Sequence, residues 1–343
     1  MNTHKTYSKQ FVILTGLLII LFILNISVGS VSIPTKDIFS IILGDESIKN
    51  SWKDIILTIR LPKAITAILI GTSLSISGLL MQTLFRNPLA GPFVLGISSG
   101  ASLGVALLIL GSTAFGGYFL TSTFSSWSIA IASSIGSFLV LSAVIIAANK
   151  VKNTMSILII GLMFGSFTAA IISILSYFSE AAQIQQYIFW SFGSLGNLNW
   201  NELSVLAGIS LVGILFSLLI IKPLNSFLLG ENYAKSLGIN IKQSRVLILL
   251  ITSLLTGATT AFSGPIAFVG LAVPHVAKLI FTTSNHKILI PATAITGAIV
   301  LLICDSIAQL PTSELILPIN AITSLFGAPI VIWLLIRKKK LYV

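Results

Sequence analysis

Residues 64–85 read AITAILIGTSLSISGLLMQTLF, a stretch with no charged residue. A helix needs about 20 apolar residues to cross the hydrocarbon core of a bilayer. A charged side chain at the centre of such a helix costs roughly 2.5–3.5 kcal/mol on the insertion scale. The stretch is therefore long enough and apolar enough to be a transmembrane helix. Its Gly and Ser residues would let neighbouring helices approach closely in lipid.

The whole chain is likewise rich in apolar residues and poor in charged ones. Of its 343 residues, 20 are Lys or Arg and 9 are Asp or Glu, so that 8% are charged and 55% are hydrophobic. A soluble domain carries about 25% charged residues, and disorder requires low hydrophobicity. The long apolar runs also differ from the alternating segments of about ten residues found in membrane β-barrels. The sequence predicts an all-α polytopic membrane protein.

Runs free of Asp, Glu, Lys and Arg define the predicted spans. Two of them are long enough to reverse: 87–149, which we expect to fold back within 111–126, and 246–277, which we expect to turn at Ser263-Gly264-Pro265 because proline interrupts a helix. Segment 181–201 is rich in Gln and Asn and is predicted to be re-entrant or interfacial. The total is ten spans. The runs are 10–35, 64–85, 87–149, 153–179, 181–201, 203–221, 246–277, 288–304 and 315–336.

An even number of spans places both termini on one side of the membrane. With the termini inside, 15 of the 20 basic residues and only one acid, Glu231, are cytoplasmic, as the positive-inside rule requires. We therefore expect a multi-pass protein of the cytoplasmic (inner) membrane of a bacterium. It would form one transmembrane domain, 1–343, with short cytoplasmic tails at 1–9 and 337–343. The N-terminus could instead be a signal peptide, but its apolar run is long enough to span.

Several function classes are disfavoured by what the sequence lacks. Cys304 is the single cysteine and the three histidines are scattered, so no metal-ligand cluster is visible. No span carries a carboxylate pair or a catalytic triad, which argues against a membrane enzyme. No span carries an ionisable residue at mid-depth, as ion-coupled transporters usually do. The net charge of +11 is attributed to the basic residues that set the orientation of the protein in the membrane, rather than to nucleic-acid binding. The energy source should then be another polypeptide.

Four stretches closely resemble one family. They are RLPK at 60–63, GLLMQTLFRNPLAGPFVLGISSGA at 78–101, LNSFLLGENYAKSLGI at 224–239 and GPIAFVGLAVPHVAK at 264–278. In this order and spacing they resemble the membrane subunits of ABC importers for ferric siderophores, haem and cobalamin (FecCD-type, type II importers). The resemblance implies the type II ABC importer permease fold, with ten transmembrane helices per subunit.

The same resemblance implies partners. A second permease subunit would complete the pathway, as a homodimer or a paired heterodimer. Two cytoplasmic ATPase subunits would use ATP and Mg, and an extracytoplasmic substrate-binding protein would deliver the cargo. This chain would bind membrane lipid but no cofactor, metal or nucleic acid, and it would have no catalytic residue.

Site residues also follow from the resemblance, residue by residue. The cytoplasmic coupling loop, 222–245, would seat in the ATPase, although an ordinary positive-inside loop explains its basic residues equally well. Its expected coupling residues are Leu228, Gly230, Glu231, Ala234, Leu237 and Gly238. Docking of the binding protein is expected at Arg60, Lys63 and Gln309. The family usually has a basic residue where this chain has Gln309, and Arg60 and Lys63 could instead be interfacial snorkelling residues.

Two further sites are expected at the cytoplasmic side. Thr154, Met155 and Ser156 at the start of the fifth span match the family's gate, although an N-cap by Asn153 or Thr154 is as plausible. Arg86, Asn87 and Pro88 form a predicted turn at the inner mouth. By the same resemblance, the pathway would run between the fifth and tenth spans of the two subunits.

Two positions outside these sites carry expectations of their own. We expect His275 to be a packed, hydrogen-bonded histidine rather than a ligand. Asn320 replaces the glycine of the family's Pro-x-Gly turn. Asparagine tolerates the left-handed conformation that glycine would adopt there, so we expect the turn to survive the replacement.

The function that the sequence favours is translocation of a ferric siderophore across the membrane, driven by ATP that a partner hydrolyses. Haem and cobalamin remain open as cargo, because cargo selection in this family rests largely with the binding protein. The alternative from a different class is an ion-coupled secondary transporter.

Overall fold

The computed structural model describes residues 7–31, 33–44, 48–111, 126–151, 154–309 and 316–336. Within these ranges the regular secondary structure is helical throughout. The helices are α1 (Ser8–Ser27), α2 (Thr35–Ile42), α3 (Asn50–Phe85), α4 (Ile97–Ile109), α5 (Ser126–Lys150), α6 (Thr154–Tyr177), α7 (Ala181–Ser191), α8 (Trp200–Leu219), α9 (Ile221–Leu228), α10 (Glu231–Ser236), α11 (Ile241–Ser263), α12 (Val269–Phe281), α13 (His286–Ala308) and α14 (Ile319–Ile336).

The predicted ten spans correspond to ten apolar helices in the described part of the chain. Eight have at least 18 residues, and the two shorter ones, α4 and α12, have 13 each. Helix α1 already begins at Ser8, so Lys9 is helical rather than part of a tail. The remaining tail residues, 1–6 and 337–343, lie outside the described residues, as do residues 112–125 of the expected reversal between α4 and α5.

Helix α3 is the centre of the bundle. It is the most buried of the long helices described, and it packs against α11, α12 and α13. It starts at Asn50, well before the uncharged run 64–85, and includes a π-helical segment, Ile55–Arg60. The charged residues ahead of the run are thus helical, and two of them, Arg60 and Lys63, have partners on neighbouring elements.

Small residues allow these helices to touch. A Cβ placed on Gly71 would lie 2.3 Å from the carbonyl oxygen of Gly297, and one on Gly78 would lie 1.5 Å from that of Gly270. Backbones come this close only where side chains are absent. The glycines of residues 64–85 therefore allow close contacts of α3 with α13 and α12.

The predicted reversal at residues 263–265 is confirmed. Helix α11 ends at Ser263, Gly264 has φ +73°, and α12 begins at Val269. A glycine adopts this positive φ without the strain that a Cβ would cause.

Segment 181–201 is not a full span, as predicted: α7 ends at Ser191 and a loop leads to α8. This loop packs against two helix ends, because the Ser194 amide donates to the Ser263 carbonyl at 2.9 Å and the Asn320 amide donates to the Phe192 carbonyl at 3.2 Å.

Asn320 does not adopt the left-handed conformation expected of a glycine there. Asn320 is the second residue of α14, and the residues with positive φ that are not glycine are Arg86, Phe268 and Thr282 in the described chain. The Asn320 side chain serves a different purpose, since its Oδ1 accepts a hydrogen bond from the Ala267 amide at 3.0 Å. Asparagine thus holds the break between α11 and α12 through its side chain rather than through its backbone.

Candidate functional site

Two short helices, α9 and α10, connect the long helices α8 and α11. Helix α9 is amphipathic and buries Leu224 and Phe227. Gly230 (φ +105°) and Gly238 (φ +78°) flank α10 on its two sides. Both conformations favour glycine over residues with a Cβ, so the two glycines set the path of the connection. The expected coupling loop therefore consists of two helices, and its last five residues, 241–245, belong to α11.

The connection exposes apolar residues beside polar ones. Leu228, Leu229, Tyr233 and Leu237 are all exposed, whereas Ala234 is fully buried. We call these four exposed residues the α9–α10 apolar patch. The exposed polar residues of the same connection include Asn232, Lys235 and Ser236. Exposed apolar residues rimmed by polar ones are typical of interaction sites. Ala234, expected to contact a partner, supports the patch from beneath instead.

Glu231 and Arg245 join the connection to the bundle. Arg245 Nη2 lies 3.1 Å from Glu231 Oε1, and Arg245 Nη1 donates to the Val151 carbonyl at 3.4 Å. Val151 immediately follows α5 and lies three residues before α6 begins. One guanidinium therefore touches α10 and the segment that leads into α6.

A second polar network was missed by the sequence analysis. His286 Nδ1 donates to Asn225 Oδ1 at 2.8 Å, and His286 Nε2 lies 2.8 Å from Thr83 Oγ1. Asn225 Nδ2 also donates to Asn285 Oδ1 at 3.1 Å. His286 is buried and links α9, α13 and the end of α3. No sequence motif connects these positions; the one available signal is a histidine that opens an apolar helix.

The inner-mouth turn lies beside the coupling connection. Arg86 has φ +46° at the end of α3, and Asn87 Oδ1 accepts the Leu89 amide at 2.9 Å. His275 Nε2 donates to the Pro88 carbonyl at 2.7 Å, which confirms His275 as a packed, hydrogen-bonded histidine. A Cβ placed on Gly230 would lie 3.4 Å from Arg86 Nη1. Two sites that the sequence treats separately are therefore neighbours.

The expected gate residues are the first three residues of helix α6. Met155 is exposed and Ser156 is half-buried, while the next residue, Ile157, is buried. Thr154 is the first residue of α6 and so is not its N-cap. The other proposed cap, Asn153, and the Thr154 side chain lie outside the described residues.

Arg60 is directed into the protein, contrary to its expected exposure. Its side chain is 7% exposed. Its Nη1 donates to the carbonyls of Ile26 at 2.9 Å and Ser27 at 3.1 Å, and its Nη2 donates to the Val31 carbonyl. The end of α1 and the following segment leave these carbonyls without helical partners, and Arg60 satisfies them.

Lys63 and Gln309 also have partners within the chain. Lys63 Nζ lies 3.1 Å from Asp305 Oδ1, and Gln309 Nε2 donates to Asp305 Oδ2 at 2.7 Å. The structure thus brings the three expected docking residues together around one cavity of about 300 Å³. Their charges and amide groups are already engaged, which the sequence did not indicate.

Comparison with known proteins decides the family. The FecCD transport family profile matches residues 17–337. The chain is 34% identical over 330 residues to the hemin transport system permease protein HmuU of Yersinia pestis, covering 96% of both chains. It is 35% identical over 283 residues to the vitamin B12 import system permease protein BtuC of Klebsiella pneumoniae subsp. pneumoniae, covering 82% of both. The chain belongs to the FecCD transport family.

A solved structure agrees with this assignment. A metal-chelate type ABC transporter in an inward-facing conformation superimposes with a TM-score of 0.84 at 29% identity, covering 96% of this chain and 100% of that one. This FecCD-family chain has the type II ABC importer permease fold that the sequence predicted. It is a multi-pass membrane subunit of an ABC importer and works with a partner permease and a separate ATPase, so the chain itself is not an enzyme. The ion-coupled alternative is therefore set aside.

Proposed function

We propose that this permease passes a ferric siderophore as an intact metal chelate, delivered by an extracytoplasmic substrate-binding protein. Two relatives are named for hemin and vitamin B12 transport, and the structural neighbour is named for metal chelates. Each of these cargoes is a metal enclosed by a large organic ligand. A chelate brings the ligands of its metal with it, so its pathway has no need of coordinating side chains.

The observation that carries this proposal is the exposed face of α6. Ser166, Ala170 and Ser173 are exposed in its middle and carry small, uncharged side chains, between the larger exposed side chains of Met163 and Tyr177. We propose that this face and α14, with the matching helices of the partner permease, line the pathway. Small neutral side chains leave room for a bulky cargo and give it few groups to which it could bind tightly. Thr154, Met155 and Ser156 would close the cytoplasmic end.

The α9–α10 apolar patch is proposed as the surface that receives the ATPase. Leu228 and Leu237 would enter its cleft, and Gly230 and Gly238 would fix the angle of α10. ATP and Mg would bind to the ATPase alone, and this chain would hold no cofactor. This arrangement places both termini and the α9–α10 connection in the cytoplasm.

The opposite face is proposed to receive the binding protein. The cavity beside Arg60, Lys63 and Gln309 opens there, although these side chains already have internal partners. An acidic residue on the binding protein would then meet a weakly charged surface. Its main effect would be on orientation and encounter rate, since exposed ion pairs contribute only about 0.2–1 kcal/mol.

Reconstitution tests the cargo. The permease, its ATPase and its binding protein would be placed in proteoliposomes and supplied with a ferric hydroxamate, a ferric catecholate, haem or cobalamin. We expect ATP-dependent uptake of a ferric siderophore, with no uptake in matched vesicles that lack ATP. Uptake confined to haem or cobalamin would replace the proposed cargo, and equal uptake without ATP would contradict the coupling. Haem is the second candidate because of the 34% identity to a hemin permease across 96% of the chain.

Labelling tests the orientation. A thiol introduced by Lys235→Cys in α10 should react with an impermeant maleimide only from the cytoplasmic side of sealed vesicles. One introduced by Lys49→Cys, just before α3, should react only from the other side. The reverse pattern would invert the proposed topology.

A further inference from the structure

We propose that Arg245 is a positioning residue that transmits movement of α10 to the start of α6. The proposal rests on the proposed function, in which α10 receives the ATPase and the start of α6 forms the gate. It goes further by naming the side chain that connects the two. No motif singles out Arg245, which sequence reasoning treats as one of many cytoplasmic positive charges.

Arg245 connects its own helix, α11, to α10 and to the residue that follows α5. It belongs to the first turn of α11, its Nη2 lies 3.1 Å from Glu231 Oε1 in α10, and its Nη1 donates to the Val151 carbonyl at 3.4 Å. The Arg245 side chain is 9% exposed and that of Glu231 is 32% exposed. The Arg245 end of the link is therefore shielded from water, whereas the Glu231 carboxylate is partly exposed. A hydrogen bond between two charged groups is stronger than one between neutral groups.

The chemistry of arginine suits this position. Its guanidinium carries five N–H donors in one rigid plane, so it holds a carboxylate on one side and a carbonyl on another without rearranging. Lysine presents a compact charge on a flexible stem and fixes no such geometry. Because the Val151 acceptor is a backbone carbonyl, a displacement of Arg245 would act on the main chain at the end of α5.

In the proposed link, movement passes from α10 through Arg245 to Val151. Glu231 is the first residue of α10 and follows Gly230, whose φ of +105° marks the bend between the two short helices. A push on α10 would therefore move the carboxylate relative to α11. The guanidinium would follow the carboxylate, and Val151 would follow the guanidinium. Met155 lies four residues further along the chain and is exposed, so a probe attached at this position would detect the movement.

The test measures the gate directly and needs no identified cargo. In a Cys304→Ser, Met155→Cys background, the permease would be purified with its ATPase. The rate at which the Met155→Cys thiol reacts with a water-soluble maleimide would be measured with and without ATP. We expect ATP to change this rate by about fivefold or more, the low end of ordinary allosteric coupling. Arg245→Met and Glu231→Met should remove most of that change while ATP hydrolysis persists.

Lys150→Met is the matched control. It removes a positive charge one residue before Val151, but the Lys150 side chain is exposed. It should keep the full response to ATP. A retained response in Arg245→Met, or a loss as large in Lys150→Met, would overturn the link while leaving the proposed function intact.

Other outcomes also have defined meanings. If the parent itself shows no response to ATP, the gate proposal fails and the link fails with it. If Arg245→Met does not assemble with the ATPase, Glu231→Met decides, because methionine is close to glutamate in length but offers the guanidinium no carboxylate oxygen. A full response in Glu231→Met then overturns the link, and a lost response supports it.

Discussion

Lys63 Nζ and Asp305 Oδ1 lie 3.1 Å apart and join α3 to α13 next to the cavity that Arg60 and Gln309 also line. The other carboxylate oxygen, Oδ2, accepts hydrogen bonds from Asn25 at 2.9 Å and from Gln309 at 2.7 Å. The two charged side chains are only 12% and 3% exposed. A buried ion pair is tolerated when its remaining hydrogen bonds are made, and here Asn25 in α1 and Gln309, just after α13, supply them. Lys63 therefore stabilises the packing of α3 against α13.

Asp305→Ala should destabilise the permease strongly. The substitution leaves the Lys63 ammonium buried without its counter-charge, which typically costs about 3–5 kcal/mol. Unfolding by SDS from a mild detergent, followed by circular dichroism, would measure the loss. The double variant Lys63→Met/Asp305→Leu removes both charges and should recover most of the stability. A double variant as unstable as Asp305→Ala would show that the pair itself is not the cause.

Gly78→Ala should disrupt the contact between α3 and α12. The added Cβ would lie 1.5 Å from the Gly270 carbonyl oxygen, so the helices must separate. Overpacking typically costs about 1–3 kcal/mol, and a clash with backbone should reach at least the upper end. Gly208→Ala in α8 is the control, because nothing lies within 4 Å of its Cβ position. Similar losses of SDS resistance for both variants would contradict this account of the helix contact.

His286→Leu should loosen the attachment of α9 to the bundle. It leaves Asn225 and Thr83 without their imidazole partner, and an unsatisfied buried polar group costs about 1–3 kcal/mol. A double-mutant cycle with Asn225→Leu measures the interaction through unfolding free energies. We expect a coupling of about 1 kcal/mol, within the range for residues in contact. Strict additivity of the two single effects would show that the 2.8 Å contact contributes nothing to stability.

Leu237→Ser should weaken binding of the ATPase. Leu237 is half exposed in the α9–α10 apolar patch, and burying a leucine fully is worth about 1.5–3 kcal/mol. Loss of part of this energy corresponds to roughly tenfold weaker affinity, measurable by titrating labelled ATPase onto the permease in nanodiscs. Leu43→Ser is the control, because Leu43 is also exposed but lies just after α2. Unchanged affinity for Leu237→Ser would place the ATPase elsewhere.

The sequence predicted the spans well and their ends less well. Ten apolar helices were expected and ten are present in the described chain, because insertion into lipid depends on the composition of windows of about 20 residues. The start of α3 was placed too late, since Lys53, Arg60 and Lys63 were counted as ending the span. Charged residues can continue a helix where neighbouring elements supply partners, and no window of composition reveals those partners.

The candidate sites were predicted as separate segments. The coupling connection and the inner-mouth turn were each identified from local residues, yet Gly230 and Arg86 lie side by side. Ala234 was grouped with the surface residues but is buried, because α10 is a helix and only one of its faces is free. His286 was missed because its partners, Thr83 and Asn225, are distant in sequence.

The sequence by itself determined that this chain crosses a membrane repeatedly, and its motifs indicated the family, because both depend on residue types at local spacings. Only the tertiary structure decided what the charges do. Arg60 binds carbonyls at the end of α1, Lys63 binds Asp305, and Arg245 connects α10 to the chain before α6. The physical reason is that a buried charge must be paired or hydrogen-bonded by the groups that packing brings within about 3 Å, and packing joins positions that are far apart along the chain.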